Sequence, residues 1–134
     1  METITMTLVQ EPELFLECYS VTPDLFAGKS LAEIADLPAH EGKIQWKLGD
    51  FFKFEGKAGE TAADTKIVVN GNVRRMKRFG QQMTAGEIII NSDADMYIGG
   101  WMKGGKITVK GNADSFLGIA MEGGEILIEG DAQN

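Results

Sequence analysis

The sequence predicts an all-β fold. The expected architecture is a single-stranded β-helix, or β-solenoid, of coils about 19 residues long, with a small mixed α/β cap segment at the N-terminal side. Three observations carry this expectation. Met83, Met102 and Met121 are spaced by 19 residues. Each methionine opens the same phrase: Met83-Thr84-Ala85-Gly86-Glu87-Ile88-Ile89-Ile90, Met102-Lys103-Gly104-Gly105-Lys106-Ile107-Thr108-Val109, and Met121-Glu122-Gly123-Gly124-Glu125-Ile126-Leu127-Ile128. Many of the 17 glycines of the chain also lie within these repeats. A fixed period near 20 residues marks coils that bury one another. A rod of this kind is a scaffold, to which reactive chemistry would have to be added.

Two regions follow along the chain: a non-repetitive N-terminal segment over 1–60 and the repeats within 61–134. In the first, Ile4, Met6 and Leu8 alternate with Thr3, Thr5 and Thr7, the period of a half-buried strand. Glu13 to Val21 reads as a second strand. Thr22-Pro23-Asp24 opens a helical turn, and Ser30-Leu31-Ala32-Glu33 fits a capping box. Leu31, Ile34 and Ala35 give a helical stripe that stops before Pro38. Lys43 to Trp46 and Phe51 to Phe54 are apolar stretches of strand type. Lys57 to Asp64 is a polar connecting loop.

The repeats align column by column. Ile67, Ile88, Ile107 and Ile126 start the strands, at separations of 21, 19 and 19. Val69, Ile90, Val109 and Ile128 stand two residues further on and so share the same inward face. Turns follow at Gly71-Asn72-Val73, Ser92-Asp93-Ala94, Gly111-Asn112-Ala113 and Gly130-Asp131-Ala132. Gly, Asn and Asp tolerate positive φ or form Asx-turns. A second apolar stretch ends at Phe79-Gly80, Ile98-Gly99 and Leu117-Gly118, and the methionine column comes next. The first coil carries two extra residues around Arg74-Arg75-Met76-Lys77-Arg78. A six-residue acyltransferase period, a nine-residue calcium-binding period and an outward threonine ladder are all missing from this pattern.

Composition narrows the function classes. A chain of 134 residues is one domain with room for a continuous core. The formal net charge of −7 argues against nucleic acid as a partner. No apolar run is long enough to span a bilayer and no signal peptide is present, so no membrane role and a cytoplasmic location are expected. Cys18 and His40 are the only residues of their types, too few for an internal disulfide or a Cys-rich cluster.

The repeat Gly-x-x-Met-x-Gly-Gly-x-Ile-x-Val-x-Gly-Asn-Ala resembles the Gly-rich β-helix shared by the C-terminal domain of glutamate synthase and by the C-subunit of formylmethanofuran dehydrogenase. The N-terminal region distinguishes the two. Ser20-Val21-Thr22-Pro23-Asp24-Leu25-Phe26-Ala27-Gly28-Lys29-Ser30-Leu31, Leu48-Gly49-Asp50-Phe51-Phe52 and Asn70-Gly71-Asn72-Val73-Arg74-Arg75-Met76-Lys77-Arg78-Phe79-Gly80 are similar to segments of the dehydrogenase subunit. The resemblance implies a scaffold role in an enzyme that reduces carbon dioxide and fixes it onto methanofuran, the first step of methane formation from carbon dioxide. It places a molybdenum or tungsten pterin, iron–sulfur clusters and an amidohydrolase metal site in partner subunits, and no cofactor in this chain. The other formylmethanofuran dehydrogenase subunits are the implied partners. The equivalent subunit of a formyltransferase/hydrolase complex and a glutamate-synthase-like domain remain as alternatives.

No catalytic, cofactor-binding or metal-binding residue is therefore expected. Met83, Met102 and Met121 read as core filling rather than soft metal ligands. Arg74, Arg75, Lys77 and Arg78 form a dense basic cluster in an acidic chain, a candidate contact for a partner or an anionic ligand. Trp101 stands where the next repeat has Ala120; exposed, it is a contact anchor, and packed inward, a core residue. Lys103/Glu122 and Lys106/Glu125 read as charge pairs across stacked coils. Family members continue for further coils, so the strand over Glu125 to Gly130 would be left open. Self-association through that coil is the corresponding expectation.

Overall fold

The computed structural model describes residues 1–130. Its first strand, β1 (Glu2–Leu8), buries Ile4 and Met6 on one face, as the alternation with threonine requires. Only Leu16–Glu17 (β2) of the second expected strand is extended. Helix α1 (Pro23–Phe26) starts on Thr22, whose hydroxyl accepts from the Leu25 N–H. Helix α2 (Leu31–Ala35) has its reciprocal capping box: Ser30 Oγ accepts from the Glu33 N–H and Glu33 Oε1 from the Ser30 N–H. Strands β3 (Pro38–Glu41) and β4 (Ile44–Lys47) form a hairpin, and β5 (Phe52–Gly56) follows a short 3-10 turn. The repeats supply β6 (Thr65–Asn70), β7 (Met76–Lys77), β8 (Glu87–Ile90), β9 (Lys106–Val109) and β10 (Glu125–Ile128).

These strands form two sheets. The larger runs β10-β9-β8-β6-β1-β5 and the smaller β4-β3-β2-β7. Ile67, Ile88, Ile107 and Ile126 are direct Cα partners from strand to strand, all in parallel register. The first three are fully buried and Ile126 partly so. Ladders of identical branched side chains fix this register, because a slip of one residue would turn the whole column outward. Val73, Met76, Phe79, Met83, Ile98 and Met102 belong to the same buried core. The turn over Gly130-Asp131-Ala132 extends past the described residues.

The expected fold class is corrected by this topology. The structure is not an all-β single-stranded coil with an α/β cap; it is two mixed sheets with a few short helical turns. The physical reason lies in the N-terminal strands. β1 pairs in parallel with β6, so it extends the sheet of the repeats. Its other edge takes β5 in antiparallel register. In the second sheet, β2 pairs in parallel with β7 and in antiparallel with β3. Both sheets are therefore built jointly by the two regions of the chain.

The backbone bonding of residues 16–24 continues this joint construction. Gly99 N–H donates to Phe79 O and Gly118 N–H to Ile98 O; one repeat earlier, Gly80 N–H donates to Val21 O. Likewise Lys103 N–H bonds Met83 O and Glu122 N–H bonds Met102 O. The corresponding Thr84 N–H finds the Asp24 carboxylate at 3.0 Å, and the Thr84 hydroxyl donates to the same group. Asp24 thus supplies the acceptor that a preceding repeat would have provided.

Candidate functional site

Lys77 lies in β7 and the other three basic residues flank it, each turned to a different group. Arg74 lines a shallow hollow of about 200 Å³ with Asp93, Asp95, Asn112 and Asp114. Arg75 Nη1 donates to Glu13 O at 3.3 Å. Lys77 Nζ lies 5.8 Å from the centre of the Phe15 ring. Arg78 is the most engaged: its Nε donates to Glu17 Oε1 at 2.9 Å, its Nη1 to Gln81 at 3.3 Å, and its guanidinium lies 4.6 Å from the Tyr97 ring centre. Three of the four cations are thus held by the N-terminal region or by the next repeat. Trp101 stands one repeat on from Gln82, at the corner of the repeats to which Arg78 also belongs.

That corner has an unusual backbone. Six non-glycine residues hold positive φ, in two series of period 19: Arg78, Tyr97 and Phe116 at 69°, 62° and 63°, and Gln82, Trp101 and Ala120 at 60°, 55° and 52°. A side chain in this region costs about 1–2 kcal/mol. The first series offsets its strain by stacking. Arg78 covers Tyr97, and Tyr97 lies parallel to Phe116 with centroids 5.2 Å apart and planes 10° from coplanar. The second series has no ring contact among the described residues. Trp101 is 43% exposed there. Beside it a cavity of about 520 Å³ is lined by Gln82, Trp101, Lys103, Ala120 and Glu122. The ion pair made across these repeats is Lys110–Glu129, at 2.9 Å. Lys103/Glu122 and Lys106/Glu125 form none among the described residues, although Lys106 and Glu125 sit opposite each other in β9 and β10.

The remaining polar candidates have local roles. Cys18 is fully buried, and burial pushes its thiol well up. His40 Nδ1 shares a 2.8 Å hydrogen bond with the Tyr19 hydroxyl and stacks on that ring. Met83 and Met102 are fully buried beside the isoleucine ladders. No group of three or more His, Cys, Asp or Glu suited to a metal ion occurs among the described residues. Sequence reasoning found Trp101 but missed Gln82, Lys103 and Glu122 as its surroundings, and missed the Tyr97–Phe116 stack of the other series. The signal was available, since 78/97/116 and 82/101/120 repeat with the methionine period.

No family profile matches the chain. Over 99 residues it is 49% identical to the C-subunit of the tungsten-containing formylmethanofuran dehydrogenase 2 of Methanothermobacter thermautotrophicus, a match spanning 74% of this chain and 37% of the relative. The protein of the same description from Methanothermobacter marburgensis is 47% identical over the same length. The chain belongs to the formylmethanofuran dehydrogenase C-subunit family. The family includes the molybdenum-containing form of Methanosarcina barkeri, 43% identical over 86 residues, 64% of this chain and 29% of that one. Over its matched part, the chain spans little more than a third of the length of the Methanothermobacter proteins. Among solved structures, a chain of the formyltransferase/hydrolase complex of Methylorubrum extorquens, determined with methylofuran, superposes with a TM-score of 0.85. That match is 28% identical and covers 96% of this chain and 47% of the other. No helix among the described residues is long and apolar enough to cross a membrane.

Proposed function

We propose that this chain is a structural, non-catalytic subunit of a formylmethanofuran dehydrogenase, holding partner subunits that carry carbon dioxide reduction and formyl transfer to methanofuran. The observation that carries the reading is the 49% identity over 99 residues to a protein described as the C-subunit of that enzyme. The side chains agree with it. The inward columns are Ile, Val, Met and Phe, which give rigidity but no acid, base or nucleophile. The tungsten and molybdenum named for the relatives do not fit residues of this chain. Its single thiol is sealed in the core and its single imidazole is engaged by Tyr19. The metal, its pterin and any iron–sulfur cluster are assigned to partner subunits, in a complex of the cytoplasm.

The test is purification of the tagged chain from its own source, with mass spectrometry of what accompanies it. A molybdenum or tungsten oxidoreductase subunit and an amidohydrolase subunit are expected in fixed ratio. The isolated chain is expected to show no carbon dioxide reduction and no formyl transfer or hydrolysis. Turnover by the chain alone, or one tightly held metal per chain, would overturn the scaffold reading. The superposition on the Methylorubrum chain favours a second reading, the equivalent subunit of a formyltransferase/hydrolase complex. A purified complex with the amidohydrolase but no pterin subunit would select it.

A further inference from the structure

We infer that the cavity beside Trp101 is a docking site for a partner protein. The partner presents a bulky apolar side chain, flanked by an acidic group that meets Lys103 and a basic group that meets Glu122. The inference rests on the subunit reading above and adds the place of contact and the chemistry it requires.

Three observations combine. The first is backbone geometry. Both corner series bear side chains at positive φ, where glycine would be free of strain. The Arg78–Tyr97–Phe116 series uses its side chains within the molecule, in one continuous stack. The Gln82–Trp101–Ala120 series does not. Trp101 makes no side-chain hydrogen bond or ring contact among the described residues and leaves much of its indole in solvent. A strained, large and unused side chain is explained by what it does outside the chain.

The second observation is shape. With the small Ala120 one repeat on from Trp101, the cavity between them measures about 520 Å³, large enough for a bulky side chain. Its backbone is fixed, because Gln82 N–H donates to Gly100 O and Trp101 N–H to Ile119 O, each at 2.8 Å. A preformed wall carrying an exposed tryptophan is the usual form of an interface anchor, since little ordering entropy remains to be lost. The third observation is charge. Lys103 and Glu122 line the cavity from successive repeats and form no ion pair with each other or another residue among those described. Adjacent rungs stand about 4.8 Å apart, so two opposite charges are offered side by side. A partner with the reverse pair satisfies both and is fixed in register, while a partner with like charges is repelled.

The test uses the full chain and the remaining dehydrogenase subunits of its own source, with association measured by calorimetry or by co-purification at graded concentration. Trp101→Gly relieves the φ of 55°. It should leave the melting temperature unchanged or raised and yet weaken association about tenfold or more. A merely structural tryptophan would show the opposite pattern. Ala120→Trp fills the cavity without removing the anchor and should weaken association similarly. Lys103→Glu should weaken it and alter its salt dependence. Val9→Ala, at an exposed site outside the cavity, is the control and should bind as the parent does. If the parent chain assembles and Trp101→Gly and Ala120→Trp assemble equally well, the docking inference is wrong and the subunit reading stands. If the parent chain itself does not assemble, the subunit reading fails and this inference falls with it.

Discussion

Asp95 is only 6% exposed, in the corner that follows β8. Burial, and after it the charge of Asp114, raises its carboxyl above the ordinary aspartate value, with Lys77 partly opposing. The folded chain therefore binds this proton more tightly than the unfolded chain. The resulting stabilisation is complete below the unfolded value, about 3.9. It is lost as pH rises through the raised folded value, and above that the buried charge is a fixed penalty. Asp95→Asn should therefore melt higher than the parent at pH 7, with the difference shrinking toward pH 3. Thermal melts of both proteins at the two pH values check this; an equal difference at both would show that the charge is not the cause. Little of this was legible beforehand. The Asp column at 95 and 114 is visible in the sequence, but its burial depends on how the turns at Ala94 and Ala113 bring the two repeats together. The inward columns were legible, because an i, i+2 pair of branched side chains has one apolar face wherever it folds. Trp101 lay between: its column was visible, its orientation was not, since a positive φ at a non-glycine residue leaves no local mark.

At the level of elements, local signals worked where a side chain bonds its own neighbours. Thr22 and Ser30 cap the helices at the residues their motifs indicate. Strand β3 was missed because Pro38, His40 and Glu41 have low strand preference; its pairing with β2 and β4 overrides that preference. Strand β2 is far shorter than the Glu13–Val21 stretch suggested, for the chain turns at both ends of Leu16–Glu17. The four-strand isoleucine register is the element the sequence expressed best, and it can be tested at its middle. Ile107 is fully buried between Ile88 and Ile126. Ile107→Asp places an unpartnered carboxyl there, at a cost comparable to the whole stability of an ordinary domain. Circular dichroism and a proton NMR spectrum should show an unfolded or molten chain. A variant that melted like the parent would disprove the inward register.

The whole molecule departs most from the sequence expectation, and the departure is one of connectivity. The 19-residue period described the repeats but was silent on where residues 1–24 go, because partner choice between distant strands is not encoded in local periodicity. Here β1 lies between β6 and β5, and Ile4, Met6, Leu16, Cys18 and Val21 are all fully buried in the common core. A cap resting on one end of a finished structure could detach; a strand inside the sheet cannot be removed without exposing the edge of β6 and its apolar face. The chain should therefore unfold as one cooperative unit. Two tryptophans report on the two regions separately. Trp46 lies in β4, with its indole N–H donating to Glu41 at 3.3 Å, and Trp101 lies at the corner of the repeats. In Trp46→Phe and Trp101→Phe backgrounds, the remaining indole should give superimposable urea transitions. Met6→Ala, a cavity in the shared core, should move both midpoints down together, by about 2–5 kcal/mol in stability. A shift seen by Trp46 while the Trp101 transition stayed in place would show that the N-terminal strands are a separable layer after all.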